Sequence, residues 1–315
     1  MAVYAITGKL GSGKGKGGMQ RLRQYLRDGK RVATNCDVFL EHMLPKHSKA
    51  TVIRVPDKPS VADLYAIGSG NQYIDFQPVM SYDDIGYHFI APEPKLLKGF
   101  DEAHNGALVL DELASWFNTR TFNDKGRAEL LEWFIHARKY GWDIFFICQN
   151  INQVDKQLRE SLFEYVVRMT RLDRLKIPVV SNGLKLMTAG ATNGTMPRVH
   201  IGTVRLGTNP DALVADRWVF RGDDLNDAYN TTQVFSDTYP HAIHCHLPNW
   251  HREGHKYPEP VPIGIRVARH LGFMQEPRPA PAPRLKSNQV RDLIMQLPPG
   301  ERIKHFKRAQ ANGLI

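Results

Sequence analysis

The sequence has little that could staple it by disulfides or carry it across a membrane. Its 315 residues include three cysteines, Cys36, Cys148 and Cys245, far apart and odd in number. That argues against a disulfide framework and for a reducing compartment. No apolar run approaches the roughly 18 residues needed to span a bilayer. The longest, Ile144–Cys148, has the length of a buried strand. Met1 to Gly8 lead directly into a glycine-rich motif, so no secretory leader is expected. No internal repeat is present, which sets solenoids and propellers aside. Acidic residues are the minority charge, 32 against 42 Lys+Arg, giving a net charge of +10. The excess is concentrated late in the chain. Arg252–Ile315 holds 12 basic and 5 acidic residues, and the preceding stretch holds 30 and 27. Such a tail can meet phosphate, in nucleic acid or anionic lipid, or can remain a solvated disordered segment.

What is present is enough material for a globular core, with 42% hydrophobic and 23% charged residues, and this excludes global disorder. Short apolar runs alternate with helical patterns up to residue 170, the order of an α/β layered domain with a mostly parallel sheet. Strands are expected at Val3–Thr7, Arg31–Cys36, Ala107–Asp111, Asp143–Cys148 and Tyr165–Arg171. Helices are expected over Gly13–Asp28, Lys125–Tyr140 and Val154–Phe163. In the second of these, Leu130, Leu131, Phe134 and Ala137 share one face. Residues 70–105, rich in Tyr, Asp, Pro and Gly, read as an inserted loop. Residues 175–250 read as a β-rich continuation of a 1–250 domain, with strands at Arg198–Leu206 and Arg217–Arg221. The basic region 251–315 contains a polyproline-like linker, Glu276–Pro283, and two candidate short helices, Ser287–Gln296 and Gly300–Ala311.

The sharpest local signal is the strand Val3-Tyr4-Ala5-Ile6-Thr7 running into Gly8-Lys9-Leu10-Gly11-Ser12-Gly13-Lys14 and then a helix. Glycines at 8, 11 and 13 allow backbone N–H groups to turn inward around phosphate oxygens. The helix adds its positive end, and Lys14 supplies an ammonium for the β- and γ-phosphates. The alternative is a glycine-rich turn with no ligand. One position departs from the pattern: after Lys14 a Ser or Thr hydroxyl is expected on Mg²⁺, and here the residue is Gly15. Nucleotide binding through Gly8–Gly15 follows from the pattern, while efficient hydrolysis does not.

Ala107–Leu110 is an apolar run ending in Asp111-Glu112. Asp111 at a strand tip can hold Mg²⁺ through water, and Glu112 then stands where a general base would polarise an attacking water. Four apolar residues before Asp-Glu are a weak signal alone and a strong one beside the N-terminal loop. The strand Asp143–Cys148 ends at Gln149, either a sensor of the γ-phosphate or a strand-end amide facing solvent. Arg159 and Arg138 are candidates for an arginine finger reaching a neighbouring subunit, the alternative for each being a surface salt bridge.

These motifs, together with Met1-Ala2-Val3-Tyr4, Ala33-Thr34-Asn35, Pro56-Asp57-Lys58-Pro59-Ser60, Trp116-Phe117-Asn118-Thr119-Arg120, His136-Ala137-Arg138-Lys139 and Gly141-Trp142-Asp143, make the chain similar to the zonula occludens toxin (Zot)-like family, which takes in gene I assembly proteins of filamentous phages. Val154-Asp155-Lys156-Gln157 and Arg171-Leu172-Asp173-Arg174 continue the likeness, which covers roughly residues 1–250. It implies a P-loop NTPase three-layer fold of the motor, additional-strand type, using ATP and Mg²⁺. It further implies a ring-shaped homo-oligomer, hexameric by the same likeness. That ring would exchange the binding protein on single-stranded DNA for coat protein, in concert with an outer-membrane channel. Family members usually carry Thr or Ser where this chain has Gly15, and a transmembrane segment after the ATPase domain. Pro262–Phe273, with Arg266, Arg269 and His270, is too short and charged to span. The expectation is therefore a protein in the host cytoplasm, peripheral to the inner membrane.

Three further clusters have competing readings. His241, His244, Cys245, His246, His251 and His255 crowd into fifteen residues and form either a Zn²⁺ site of no familiar spacing or a solvated turn. Trp116, Phe117, Phe122 and Trp133 near Arg120 and Arg127 could stack single-stranded DNA bases or simply pack. The tail's Arg266, Arg269, Arg284, Lys286, Arg291, Arg302, Lys304, Lys307 and Arg308 suit nucleic-acid phosphate or lipid headgroups equally. A motor, a weakly hydrolysing nucleotide-binding scaffold and a secreted toxin are the functional readings. The toxin rests on the family's name alone, and the ATPase motifs oppose it.

Overall fold

A computed structural model describes residues 2–75, 79–83, 86–90, 94–116, 125–154, 156–174, 198–209, 211–236, 238–271, 294–295, 301–302, 305–307 and 310. The chain separates into two compact units, Met1–Glu259 and Pro260–Ile315.

The first unit is built on a nine-stranded sheet. Its strands are β1 (Val3–Thr7), β2 (Val32–Thr34), β3 (Val52–Arg54), β8 (Gly106–Leu110), β9 (Trp142–Ile147), β10 (Tyr165–Arg171), β11 (His200–Leu206), β12 (Val214–Phe220) and β13 (His244–His246). Their spatial order is β12-β11-β10-β1-β9-β8-β2-β3-β13. The six strands from β10 to β3 are mutually parallel, and antiparallel strands flank them at both sides. β9 lies between β1 and β8, with Ile6 beside Ile147 and Leu110 beside Phe146. It is the additional strand of the expected fold, and the α/β, mostly parallel P-loop architecture is the one observed.

Alternation along the strands divides the core in two. Val3, Ala5, Leu108, Leu110, Ile144 and Phe146 face one side. There they meet α3 (Val61–Ala66), α5 (Lys125–His136) and α6 (Lys156–Leu162) through Leu64, Trp133, Phe134 and Leu162. Ile6, Ala107, Val109, Phe145 and Ile147 face the other side and meet Met19, Leu22 and Leu26 of α1 (Lys14–Arg27). Because both faces are covered, β8 reads as an unbroken apolar run and is buried at every residue. α1 presses close to the sheet because Gly18 has no side chain: a Cβ there would lie 2.6 Å from Ile147 Cδ1.

The structure refines several expectations. Residues 70–105 form more than a loop. β4 (Ile74–Asp75) pairs with β7 (Lys95–Leu96), and β5 (Val79–Asp83) with β6 (Gly86–Ile90), as small antiparallel hairpins. Turn-forming residues dominate that stretch and mask its two-residue alternation. Asp111 lies just past its strand and not within it. Lys125–His136 is shorter than the expected helix, because the chain turns at 137–140 to enter β9. β12 begins at Val214 and not at Arg217, extended by pairing with β11. β3 and β13 were not expected, since each is only three residues long.

In the second unit, Ile263–His270 is helical, and helix recurs at 294–295, 301–302, 305–307 and 310. The expected linker Glu276–Pro283 lies outside the described residues. Among the described residues no helix is long and apolar enough to cross a membrane.

One polar interaction fastens the late part of the first unit to the sheet. Arg54 at the end of β3 is fully buried, donating through Nε to Asp37 Oδ1 at 2.9 Å and through Nη2 to Asp57 Oδ1 at 2.6 Å. Asp57 also accepts from Gln233 Nε2 at 3.1 Å and from the Ser236 amide at 3.0 Å. The Asp37 amide donates to Gln233 Oε1 at 2.8 Å, and its carbonyl accepts from the Asn230 amide at 2.9 Å. Residues 226–236 thus become a strap held across the carboxyl ends of the strands. Arg54→Ala leaves both carboxylates without their cation and should cost about 3–5 kcal/mol, read as the loss of unfolding free energy in urea.

Candidate functional site

The loop between β1 and α1 has three glycines in left-handed or otherwise glycine-favouring conformations, Gly8, Gly11 (φ +70°) and Gly13, and space as well as φ constrains the first and last. Gly8 has φ +152° and Gly13 φ +92°. At both, a Cβ would also collide, with Ser12 Oγ at 2.6 Å and with His200 Nδ1 at 2.1 Å. The loop closes through the Ser12 amide donating to Lys9 O at 3.0 Å, and α1 opens with the Gly17 amide on Gly13 O at 2.9 Å. Lys9, Leu10 and Gly11 form the exposed tip, whereas Ser12 is buried and its hydroxyl has no partner among the described residues. Lys14 folds back along the loop, donating to Gly8 O at 3.0 Å and Lys9 O at 3.4 Å. Burial pulls its pKa down, and the charge of Asp111 opposes that pull.

Asp111 and Glu112 follow β8. Asn35, fully buried at the end of β2, clamps the first of them: Asn35 Oδ1 accepts from the Asp111 amide at 2.8 Å, and Nδ2 donates to Asp111 O at 3.1 Å. The Asp111 carboxylate accepts from the Glu112 amide at 2.7 Å. Burial pushes its pKa up to about 6 despite that hydrogen bond, the Glu112 charge adds to the rise, and Lys14 counters it. Glu112 has φ +55°, an uncommon backbone for a side chain that is not glycine, and its own side chain is exposed.

Loop and acidic strand end line one cleft of about 1020 Å³, at the carboxyl ends of the parallel strands where α/β sheets place ligands. Lys14, Gly15, Asp111, Glu112 and Gln149 all border it. The cleft fits a nucleoside triphosphate with its cation. Leu10, Gly11, Gly13, Lys14 and Gly15 of the loop region line it, with the half-buried carboxylate of Asp111 across from them, whereas Gly8, Lys9 and Ser12 line a neighbouring cavity beside β10. Among the described residues no three His, Cys, Asp or Glu side chains cluster to hold a metal.

The other expected residues fall in different places. Arg159 on α6 donates to Asn152 Oδ1, and Asn152 borders the cleft, so Arg159 stands near its rim. Arg138 pairs with Glu102 near the amino-terminal ends of β8 and β9, the opposite edge of the sheet from the loop. Trp133 is 1% exposed and packed on Phe134 and Tyr140, which leaves it no face for a base. The side chains of Trp116, Phe117, Arg120, Phe122 and Arg127 lie outside the described residues. So do those of Arg269, Arg284, Lys286, Arg291, Lys304 and Arg308. In the histidine cluster, burial pushes His246 down to about 4, and His255 stacks on Trp250 at 3.8 Å.

Sequence reading missed Asn35, Arg171, His200 and Tyr229. Arg171 bridges Asp173 and donates to Gly11 O at 3.4 Å. His200 Nδ1 lies 3.2 Å from Ser12 O, and the ring stacks on Phe220. Tyr229 arrives on the strap, bridged to Val38. Asn35, a polar residue ending a buried strand, and Arg171 lie within motifs of the family likeness, which gave them a local signal but no role. The others reach the loop from more than 150 residues away in sequence.

A family model described as Zonular occludens toxin (Zot) matches residues 2–196. The chain is 38% identical over 270 residues to the Gene 1 protein of Enterobacteria phage fd, covering 85% of this chain and 69% of that protein. It is 40% identical over 251 residues to the Gene 1 protein of Escherichia phage If1, covering 78% and 63%. The crystal structure of the N-terminal domain of zonular occludens toxin from Neisseria meningitidis aligns with 73% of this chain and 98% of that one, at 15% identity and a TM-score of 0.37.

The Asp111 environment sets a pH dependence. In the ligand-free protein, ionising a carboxyl whose folded pKa is about 6 and whose ordinary value is 3.8 opposes folding. The penalty is absent below the ordinary value, grows between the two and is complete above about 6. Asp111→Asn should therefore be neutral near pH 4 and stabilising by about 1–2 kcal/mol near pH 8, measured by urea unfolding of metal-free protein.

Proposed function

The chain belongs to the zonular occludens toxin (Zot) family, and on that footing we propose that it is an ATP-driven motor for the assembly and extrusion of filamentous phage virions at the inner membrane. The observation carrying this reading is the meeting of the Gly8–Lys14 loop and the Asp111-Glu112 strand end in one cleft, with β9 between their strands.

In the proposed mechanism the loop amides and the positive end of α1 hold the phosphates. Lys14 exchanges its loop carbonyls for β- and γ-phosphate oxygens. Asp111, fixed by Asn35, would hold a Mg²⁺ ion, whose chemistry there would be to neutralise charge on those oxygens. Glu112 takes a proton from the water whose oxygen attacks the γ-phosphorus, and ADP departs with the bridging oxygen. Gln149 at the tip of β9 borders the same cleft and registers whether a γ-phosphate is present. Arg159, near the rim, is the better placed of the two arginines to act on a neighbouring subunit. Arg138, engaged by Glu102 at the far edge of the sheet, would first have to leave that pair. The working unit is a ring of copies, a hexamer by family likeness. It would be peripheral to the inner membrane on the cytoplasmic side, acting on coat protein and single-stranded DNA and meeting an outer-membrane channel.

Gly15 favours a second reading, a nucleotide-binding scaffold with weak hydrolysis, because that position offers the cation no oxygen. Paired assays of ATP binding and turnover separate the two. For the motor, Lys14→Ala loses binding, while Glu112→Gln keeps binding and loses turnover by about 10²–10⁴-fold. For the scaffold, wild-type turnover is near background and Gly15→Thr raises it strongly with Mg²⁺. A wild-type protein that binds no adenine nucleotide ends both readings.

A further inference from the structure

Position 15 is the first residue past the phosphate-binding lysine and has no side chain, yet the space beside it is filled. A Cβ built on Gly15 would lie 2.7 Å from the Tyr229 hydroxyl and 3.2 Å from the ring atoms Cε2 and Cζ. A serine or threonine hydroxyl at this position would sit one bond beyond that Cβ. The phenol oxygen of Tyr229 therefore occupies the space beside Cβ that such a side chain would have to share. Tyr229 borders the same cleft as Lys14 and Asp111. Its placement is not casual. The Val38 bridge, the Phe39 amide on Ala228 O at 2.9 Å and the Asn230 amide on Asp37 O at 2.9 Å fix the backbone on both sides of it. The Arg54–Asp37–Asp57 ion pairs hold the strap in turn.

We propose that Tyr229 supplies, from 214 residues downstream, the hydroxyl that Gly15 lacks, to hold a water on the divalent cation of the bound nucleotide. Mg²⁺ keeps several of its waters in protein sites, and a neutral phenol is suited to orienting one of them. Tyr229 is thus a positioning residue that acts through water, and it rests on the nucleotide reading of the cleft. The exchange is reciprocal in space. The loop accepts the tyrosine because residue 15 is glycine, and a side chain at 15 would have to displace the phenol oxygen.

The test is titration of a non-hydrolysable ATP analogue into wild type, Tyr229→Phe, and the double variant Tyr229→Phe with Gly15→Ser, each in EDTA and in Mg²⁺. A parallel measurement follows Mn²⁺ uptake by the nucleotide-loaded proteins through the loss of the free-ion paramagnetic signal. Tyr229→Phe should bind the analogue as wild type does in EDTA, lose about tenfold of the gain that Mg²⁺ confers, and take up Mn²⁺ correspondingly more weakly. The added serine should restore that gain, because removal of the phenol oxygen leaves room for its hydroxyl. A Tyr229→Phe protein with the full Mg²⁺ gain, or one weakened equally in EDTA, overturns the proposal while leaving the cleft a nucleotide site. A wild type that binds the analogue under neither condition overturns the nucleotide reading itself, and this inference with it.

Discussion

Parallel pairing of β1, β9 and β8 is the constraint from which the site follows. Parallel strands point their carboxyl ends the same way, so whatever follows each of them gathers on one edge. The glycine loop follows β1, Gln149 follows β9, and Asp111-Glu112 follows β8. Loop and acidic pair are nearly a hundred residues apart in the chain, and the hydrogen-bonded register brings them to one cleft. β9 between them sets their separation, leaving room for a triphosphate in place of a direct Lys14–Asp111 ion pair.

Close packing around the loop explains why three of its positions carry no side chain. Gly13 yields its space to His200 of β11, and Gly15 yields its space to Tyr229 of the strap. Gly8 lies over Ser12 and the Met169 carbonyl of β10. The cradle is therefore a joint product of the first strand–loop–helix and of elements that fold onto it from the far end of the domain. The strap owes its position to buried charge. Arg54, Asp37 and Asp57 are costly to bury apart and are retained together, with Gln233 and Ser236 completing the acceptors of Asp57.

The cleft brings together a cation and an anion that burial disfavours in their charged forms. Lys14 and Asp111 are both shifted toward their neutral forms by burial, and each relieves the other only in part. In the proposed reading a triphosphate would supply the counter-charge for Lys14, and a divalent ion would supply it for Asp111. On that reading the two would bind in a coupled way, each relieving a desolvation penalty of the ligand-free protein. The left-handed backbone at Glu112 turns the chain at this edge, and the Asp111 carboxylate caps that turn.

The sequence alone determined the architecture and the ends of the two key strands. Val3–Thr7 before glycines and Ala107–Leu110 before two acids are local patterns, and local chemistry suffices to read them. It also placed α1, although the Lys125–Tyr140 helix came out shorter and the 70–105 stretch, read as a loop, holds short paired strands whose alternation turn residues mask. What lay beyond its reach were contacts between distant segments. Arg54 reads as a surface cation, and only a pair of carboxylates from other loops makes it a core residue. Tyr229 and His200 carry no motif, and their meaning arises where the folded chain leaves space beside Gly15 and Gly13. Tertiary structure decided these points because burial and cross-chain hydrogen bonding are properties of the assembled sheet edge, to which no single segment's composition responds.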